Sequence, residues 1–205
     1  MDFGCTDLVL GSTASTMATV LSAQLTQVAS RFCAKSRFGV FTALSRAMSI
    51  KVGDEIPSVD VYEETPANAV NLRDVSAGRK ILIFAVPGAF TPGCSKTHLP
   101  GYIKQADELK SKGITEIVCV SVNDPFVMTA WGENHKVSNK IRMLADTNAE
   151  FTKSLGLEQD LAVLGGLRSK RYSMIVEDGK VTQLNVEPDG KGLTCSLAEN
   201  MLAKL

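Results

Sequence analysis

Two short apolar runs, KILIFAVP at 80–87 and EIVCVSV at 116–122, constrain this chain more than any other feature. Each is too short for a core helix and reads as a strand buried on both faces. Between them, the stretch from Pro92 to Lys112 reads as a helix closed by Gly113. Strand, helix and strand at this spacing predict a parallel pair joined by a crossover helix. Further on, YSMIVE and KVTQLNV flank Asp178-Gly179, the strongest short signal for a two-residue hairpin. The final CSLAENMLAKL carries Ser196 and Glu199 at capping-box spacing and predicts a last helix.

That order is the order of a thioredoxin-like α/β domain, with a central mixed sheet flanked by helices. At 205 residues there is room for one such domain plus an extension. The extension is legible in composition. Residues 1–48 hold 12 Ser or Thr, four basic residues and only Asp2 and Asp7 as acids, so 17–48 contain no acid. A basic, hydroxyl-rich, acid-poor segment reads as a mitochondrial transit peptide. The expected division is therefore 1–48 as transit peptide and 49–205 as the folded domain. Cleavage is expected near Arg46 or Met48, and initiation at Met17 would give a cleaner presequence than Met1.

Lys plus Arg and Asp plus Glu balance at 22 each, so no basic surplus points to nucleic acid. No apolar run approaches the ~20 residues of a membrane span. The five cysteines, Cys5, Cys33, Cys94, Cys119 and Cys195, are odd in number and sparse, which fits a reducing compartment better than a disulfide scaffold. With no CxxC and only His98 and His135, a zinc site is not expected.

The chemistry gathers in VPGAFTPGCSKT, residues 86–97, between the first strand and the helix. Gly88 and Gly93 have phosphate-loop spacing, but Cys94 stands where the phosphate-binding lysine would be. The loop mounts a thiol instead. With Thr91 as N-cap, Pro92, Gly93 and Cys94 take N1, N2 and N3. Free amides and the positive helix end favour an anion there, which for cysteine is the thiolate. The Thr91 hydroxyl is expected beside the sulfur, Pro87 and Pro92 stiffen the loop, and Pro100 predicts a kink one turn later. The residues alone leave a second reading open, that Cys94 is a small buried residue packed beside a turn. Cys119, inside an apolar strand, reads as structural. His98 has no evident acid partner and reads as an ordinary surface histidine.

Pro87, Thr91 and Cys94 together form PxxxTxxC. The longer run VPGAFTPGCSKTHLPGY, with SVNDPFV, KRYSMIVEDG and LNVEPDGKGLTCSL downstream, closely resembles the atypical two-cysteine, type II peroxiredoxins over residues 49–205. The resemblance implies a peroxidase in which Cys94 is the peroxidatic cysteine, oxidised by peroxide to a sulfenic acid. It implies that Thr91 and Arg171 hold the thiolate and polarise the O–O bond, and that Pro87 shields the site. Neither spacing nor charge could have picked Arg171 over Arg142 or Arg168. It further implies that Cys195 resolves the sulfenate within one chain and that thioredoxin reduces the resulting disulfide. Type II relatives in plants place a second cysteine at the position of Cys119, which keeps that residue as the alternative resolver. The implied substrates are hydrogen peroxide, alkyl hydroperoxides and peroxynitrite, with no cofactor, and the implied state is a monomer or weak homodimer. A redox-sensing interaction protein without efficient turnover is the rival reading. The C-terminal Ala-Lys-Leu is close to the peroxisomal Ser-Lys-Leu address, so cytoplasmic and peroxisomal pools are expected beside the mitochondrial one.

Overall fold

The structure is a computed structural model and describes residues 49–205. The expected transit peptide therefore lies outside the described residues. Seven strands form one sheet in the order β2-β1-β5-β4-β3-β8-β9. They are β1 (Asp60–Glu63), β2 (Ala69–Asn71), β3 (Lys80–Val86), β4 (Glu116–Ser121), β5 (Arg142–Ala145), β8 (Tyr172–Glu177) and β9 (Lys180–Val186). β3, β4 and β5 run parallel and the remaining pairs are antiparallel, so the sheet is mixed as expected. A separate small hairpin pairs β6 (Glu158–Leu161) with β7 (Gly166–Ser169).

The apolar runs do what their composition requires. In β3, Leu82, Phe84 and Val86 join one core cluster, while Ile81, Ile83 and Ala85 join the other. The first cluster lies under α2 (Leu99–Ser111), α3 (Pro125–Asn134) and α5 (Ala198–Leu202). The second lies against α1 (Leu72–Val75) and α4 (Glu150–Ser154). A strand with helices on both faces must be apolar on both, which is why alternation is missing from KILIFAV.

Register then brings three loops to one end of the sheet. Val86 pairs with Ser121 across the parallel strands, and Ala85 pairs with Tyr172 across the antiparallel pair. The segments after β3, after β4 and before β8 consequently meet beyond the carboxyl ends of the parallel strands, where open α/β sheets form their crevices.

Two expectations about helix ends divide. Gly113 has φ +97°, its amide bonds Lys110 O at 3.0 Å, and Ile114 N bonds Leu109 O at 3.3 Å. This is a Schellman closure, as the glycine predicts. Ser196, in contrast, does not cap the last helix. Leu197 is the N-cap residue of α5, without a side-chain cap, and the Ser196 hydroxyl donates to Glu187 instead. The Asp178-Gly179 turn is as expected, with φ of +49° and +76° at the two residues, the signs a type I′ hairpin needs.

The two helical glycine contexts predict opposite signs. Gly113→Ala forces a Cβ into the left-handed region and should cost about 1 kcal/mol. Gly101, helical and with open space around a would-be Cβ, should gain ~0.5–1 kcal/mol on replacement by Ala. Urea unfolding of the two variants beside the parent measures both, and a shared sign would contradict this account of the helix.

Candidate active site

Cys94 lies eight residues past the end of β3, fully buried, as the first residue of a π-helical turn, Cys94–His98, that leads into α2. Ser95 N bonds Thr91 O at 2.9 Å, the first helical bond, so the backbone starts at Thr91 as expected. The Thr91 side chain does not cap an amide. Its hydroxyl lies 2.8 Å from Cys94 Sγ and 3.0 Å from Gly88 O. One hydroxyl hydrogen cannot serve both acceptors at once. In the thiol form the S–H donates to Oγ1, which passes its own hydrogen to Gly88 O. In the thiolate form that hydrogen turns to the sulfur.

The second set of donors is the Arg171 guanidinium. Both terminal nitrogens lie 3.4 Å from Cys94 Sγ, and Nε donates to Lys191 O at 3.1 Å. Arg171 is 3% exposed, yet it belongs to none of the ion pairs among the described residues. A buried cation without a carboxylate is costly unless an anion faces it. Sγ faces it. The rival arginines are occupied elsewhere. Arg142 bonds Glu63 at 2.7 Å and Glu116 at 2.9 Å, and Arg168 bonds Val122 O at 2.7 Å and also Leu164 O.

The loop before the thiol is held from several sides. Pro87 is buried directly after β3. Asn123, after β4, accepts from Ala89 N at 3.0 Å and from the Ser121 hydroxyl at 2.8 Å. Phe90 takes φ +61°, a costly conformation for a bulky residue and one typical of functional turns. On the far side, the indole of Trp131 donates to Ser95 Oγ at 3.0 Å. Composition offered no signal for Asn123 or Trp131, because their roles depend on which strands and helices become neighbours.

His98 overturns the expectation of a surface histidine. It is fully buried, edge-on to Phe84 and Tyr102, with Nε2 3.0 Å from Ser196 O. A carbonyl only accepts, so Nε2 carries a proton. Burial first, and the nearby Arg171 charge second, hold its pKa down to about 3. The missed signal was the stripe Cys94, His98, Tyr102, Ala106, Leu109, which keeps to one helix face and is buried throughout.

The two remaining cysteines differ in setting. Cys119 is fully buried in β4, and burial, then the Cys94 charge, pushes its thiol well up. Cys195 is half-buried in the segment before α5, with Sγ donating to Val186 O at 3.4 Å. Burial, then the Glu187 charge, raises its pKa also. Cys94, Cys119 and Cys195 are all free thiols. The structure thus brings Thr91 and Arg171 onto Cys94 and leaves Cys195 bonded elsewhere. Among the described residues, no three His, Cys, Asp or Glu side chains gather as a metal site, and no helix is long and apolar enough to cross a membrane.

The neutral His98 has a consequence for acid stability. An unfolded histidine takes a proton near pH 6.5, whereas the folded ring resists until about pH 3. Protons therefore favour the unfolded state throughout that window, and stability falls as pH drops through it. The loss between pH 7 and pH 5 should be about 2 kcal/mol. Urea unfolding of His98→Gln should lack most of that loss, and an unchanged pH slope would show that His98 is not its source.

Comparison with known proteins accords with this geometry. The Redoxin family model matches residues 51–202. Peroxiredoxin-2D of Arabidopsis thaliana is 46% identical over 160 residues, covering 76% of this chain and 98% of the relative. The crystal structure of reduced Prx3 from Vibrio vulnificus in complex with hydrogen peroxide is 51% identical, with a TM-score of 0.72 and coverage of 76% and 99%. Peroxiredoxin 5 from Alvinella pompejana is 49% identical, with a TM-score of 0.65 and coverage of 71% and 95%. With the buried thiol at the end of β3 and its attendant donors, these likenesses place the chain in the redoxin family as a peroxiredoxin of the type II, peroxiredoxin 5-like branch, a thiol-dependent peroxidase.

Proposed function

We propose that the chain reduces hydrogen peroxide, alkyl hydroperoxides and peroxynitrite through Cys94, with Cys195 as the resolving residue and thioredoxin as the reductant. The observation that carries this reading is the convergence of Thr91 and both Arg171 terminal nitrogens on one buried sulfur. That Prx3 of Vibrio vulnificus was crystallised with hydrogen peroxide supports the choice of substrate.

The steps follow from the donors. The Cys94 thiolate attacks one peroxide oxygen, and the sulfur electron pair forms S–O as O–O breaks. The leaving oxygen departs as hydroxide or alkoxide and takes a proton to become water or alcohol. Cys94 is left as the sulfenic acid. As negative charge moves from sulfur to the leaving oxygen, the Arg171 fork and the Thr91 hydroxyl stay hydrogen-bonded to it, and these fixed donors need little reorganisation. Pro87 closes the inner wall of the loop. The Cys195 thiolate then attacks Cys94 sulfur, S–S forms, and the hydroxide lost is protonated to water. A dithiol reductant such as thioredoxin returns both thiols by exchange, its own pair becoming the disulfide. Cys119 is the poorer resolver, since it lies inside β4 with no exposure.

Peptide mapping of the full chain without reductant, after one equivalent of hydrogen peroxide, tests the assignments. A Cys94–Cys195 link within one chain is expected. Cys195→Ser should still oxidise at Cys94 but lose turnover with thioredoxin, and Arg171→Gln should slow Cys94 oxidation by about 100-fold, as loss of one preorganised charge-stabilising donor does. A Cys94–Cys119 link would transfer the resolving role. Oxidation without any turnover would favour the redox sensor.

The localisation reading joins this proposal, resting on residues 17–48 and the terminal Ala-Lys-Leu. Leu205 packs against the core cluster, so a peroxisomal receptor must lift it free, and the mitochondrial address is the stronger of the two. N-terminal sequencing of mitochondrial protein should find a start near residues 46–49, and a start between 60 and 90 would overturn it.

A further inference from the structure

Glu187 follows β9 and is 1% exposed, a buried acid with no cation among its hydrogen-bond partners. Its carboxylate collects five donors from one short segment. Oε1 accepts from Thr194 N at 2.8 Å, Cys195 N at 3.0 Å, Ser196 N at 2.9 Å and Ser196 Oγ at 2.7 Å, and Oε2 accepts from Thr194 Oγ1 at 2.6 Å. Burial pushes its pKa up, but the bonds from Thr194 and Ser196 outweigh this and hold it near about 2. The segment is also pinned from the opposite side, where His98 Nε2 and Tyr102 OH donate to Ser196 O at 3.0 and 2.7 Å. In this docked arrangement the Cys195 sulfur bonds Val186 O, whereas Cys94 is engaged with Thr91 and Arg171. The two sulfurs thus have separate partners while the dock holds.

We propose that Glu187 is a positioning residue for the resolving step: its carboxylate holds Thr194–Ser196 docked, and release of that hold sets how fast Cys195 reaches oxidised Cys94. The proposal rests on the reading of Cys195 as resolver. Three physical points support it. Hydrogen bonds to a carboxylate are about twice as strong as neutral ones, so five of them from three consecutive residues make the dock one cooperative unit. Burial and the Glu187 charge both disfavour the Cys195 thiolate while it is docked, so undocking removes both and yields a better nucleophile. The dock is also separable from the peroxide step, because Glu187 reaches Arg171 only through its backbone amide, which donates to Arg171 O at 3.0 Å and survives side-chain replacement.

In the resolving step the Cys195 sulfur pair attacks Cys94 sulfur, S–S forms, the sulfenic hydroxyl leaves and is protonated to water. A slower release lengthens the life of the sulfenic acid, and a second peroxide then has longer to convert it to sulfinic acid.

The test is stopped-flow fluorescence of the full-length reduced protein mixed with hydrogen peroxide. The reporter is Trp131, the chain's single tryptophan, bonded to Ser95 beside the reactive thiol. Glu187→Gln keeps the shape and removes the charge. It should leave the peroxide-dependent phase within about twofold and speed the peroxide-independent disulfide phase about fivefold or more, the factor expected when charged hydrogen bonds become neutral. Its sulfinic acid yield at high peroxide should fall in step. Thr194→Val, which deletes one donor and leaves Glu187 in place, should move the same two readouts the same way by about two- to fivefold. Faster exchange of the Cys195 and Ser196 amides in either variant would report the looser dock directly. An unchanged disulfide phase in both variants, or slowing of both phases together, overturns the role of Glu187 while leaving Cys195 as resolver. A parent protein that forms no Cys94–Cys195 link overturns the resolver reading itself, and the proposal with it.

Discussion

A guanidinium that is almost wholly buried and has no carboxylate partner sets the terms for this structure. Arginine does not shed its proton, so Arg171 brings a permanent charge into a site where water cannot solvate it. The fold offers it carbonyl dipoles, through Nε to Lys191 O, and one sulfur that can become an anion. A thiolate at Cys94 would give that charge its counter-ion. Much of the surrounding architecture can be read as what holds that pair in register. The β3–β8 pairing sets Tyr172 opposite Ala85 and so brings Arg171 level with the loop that carries Cys94. The Glu187 and Gly190 backbone bonds to Arg171 at 3.0 and 2.8 Å fix its main chain.

The helix that presents the sulfur solves a second problem. Pro100 has no amide to give Lys96 O, and in a regular helix its ring would also collide with the preceding turn. The sequence predicts a kink there. The chain widens one turn just before it, and Leu99 N reaches back to Cys94 O. Single π-turns of this kind gather at functional sites. Here the wide turn begins at Cys94 itself, so the proline's disruption falls on the segment that would rearrange were Cys94 drawn into the proposed disulfide. Trp131 on Ser95, and His98 and Tyr102 on Ser196, hold it until then.

How much of this was legible in the sequence follows from which interactions are local. β3, β4, the Asp178-Gly179 hairpin and the Gly113 closure were readable, because apolar runs and left-handed turns are decided within a few residues. The position of the Thr91 hydroxyl beside Cys94 was readable for the same reason, being a three-residue spacing at a helix start. Arg171 was not, since it lies 77 residues from Cys94 and reaches it through strand pairing. Ser196 was misread because a cap is a competition. Serine prefers a nearby free amide only when nothing better is in reach, and a buried carboxylate nine residues back is better. His98 was misread because polarity was weighed above position, although the helix stripe placed it in the core.

The stretch that leads to Cys195 also carries main-chain supports of Arg171. Lys191 O bonds Arg171 Nε, and a Cβ on Gly93 would meet Leu193 Cδ1 at 3.5 Å and Arg171 Nη2 at 3.4 Å. These supports lie between Glu187 and Lys191, before the Thr194–Ser196 segment that the Glu187 carboxylate holds. In the proposed cycle a sulfenic acid at Cys94 would no longer face Arg171 as an anion, and the electrostatic reason for the tight arrangement would weaken. Oxidation would thus remove one of the interactions that hold the Cys94 turn closed. A buried cation that faces a single sulfur ties the hold on that turn to the sulfur's chemical state.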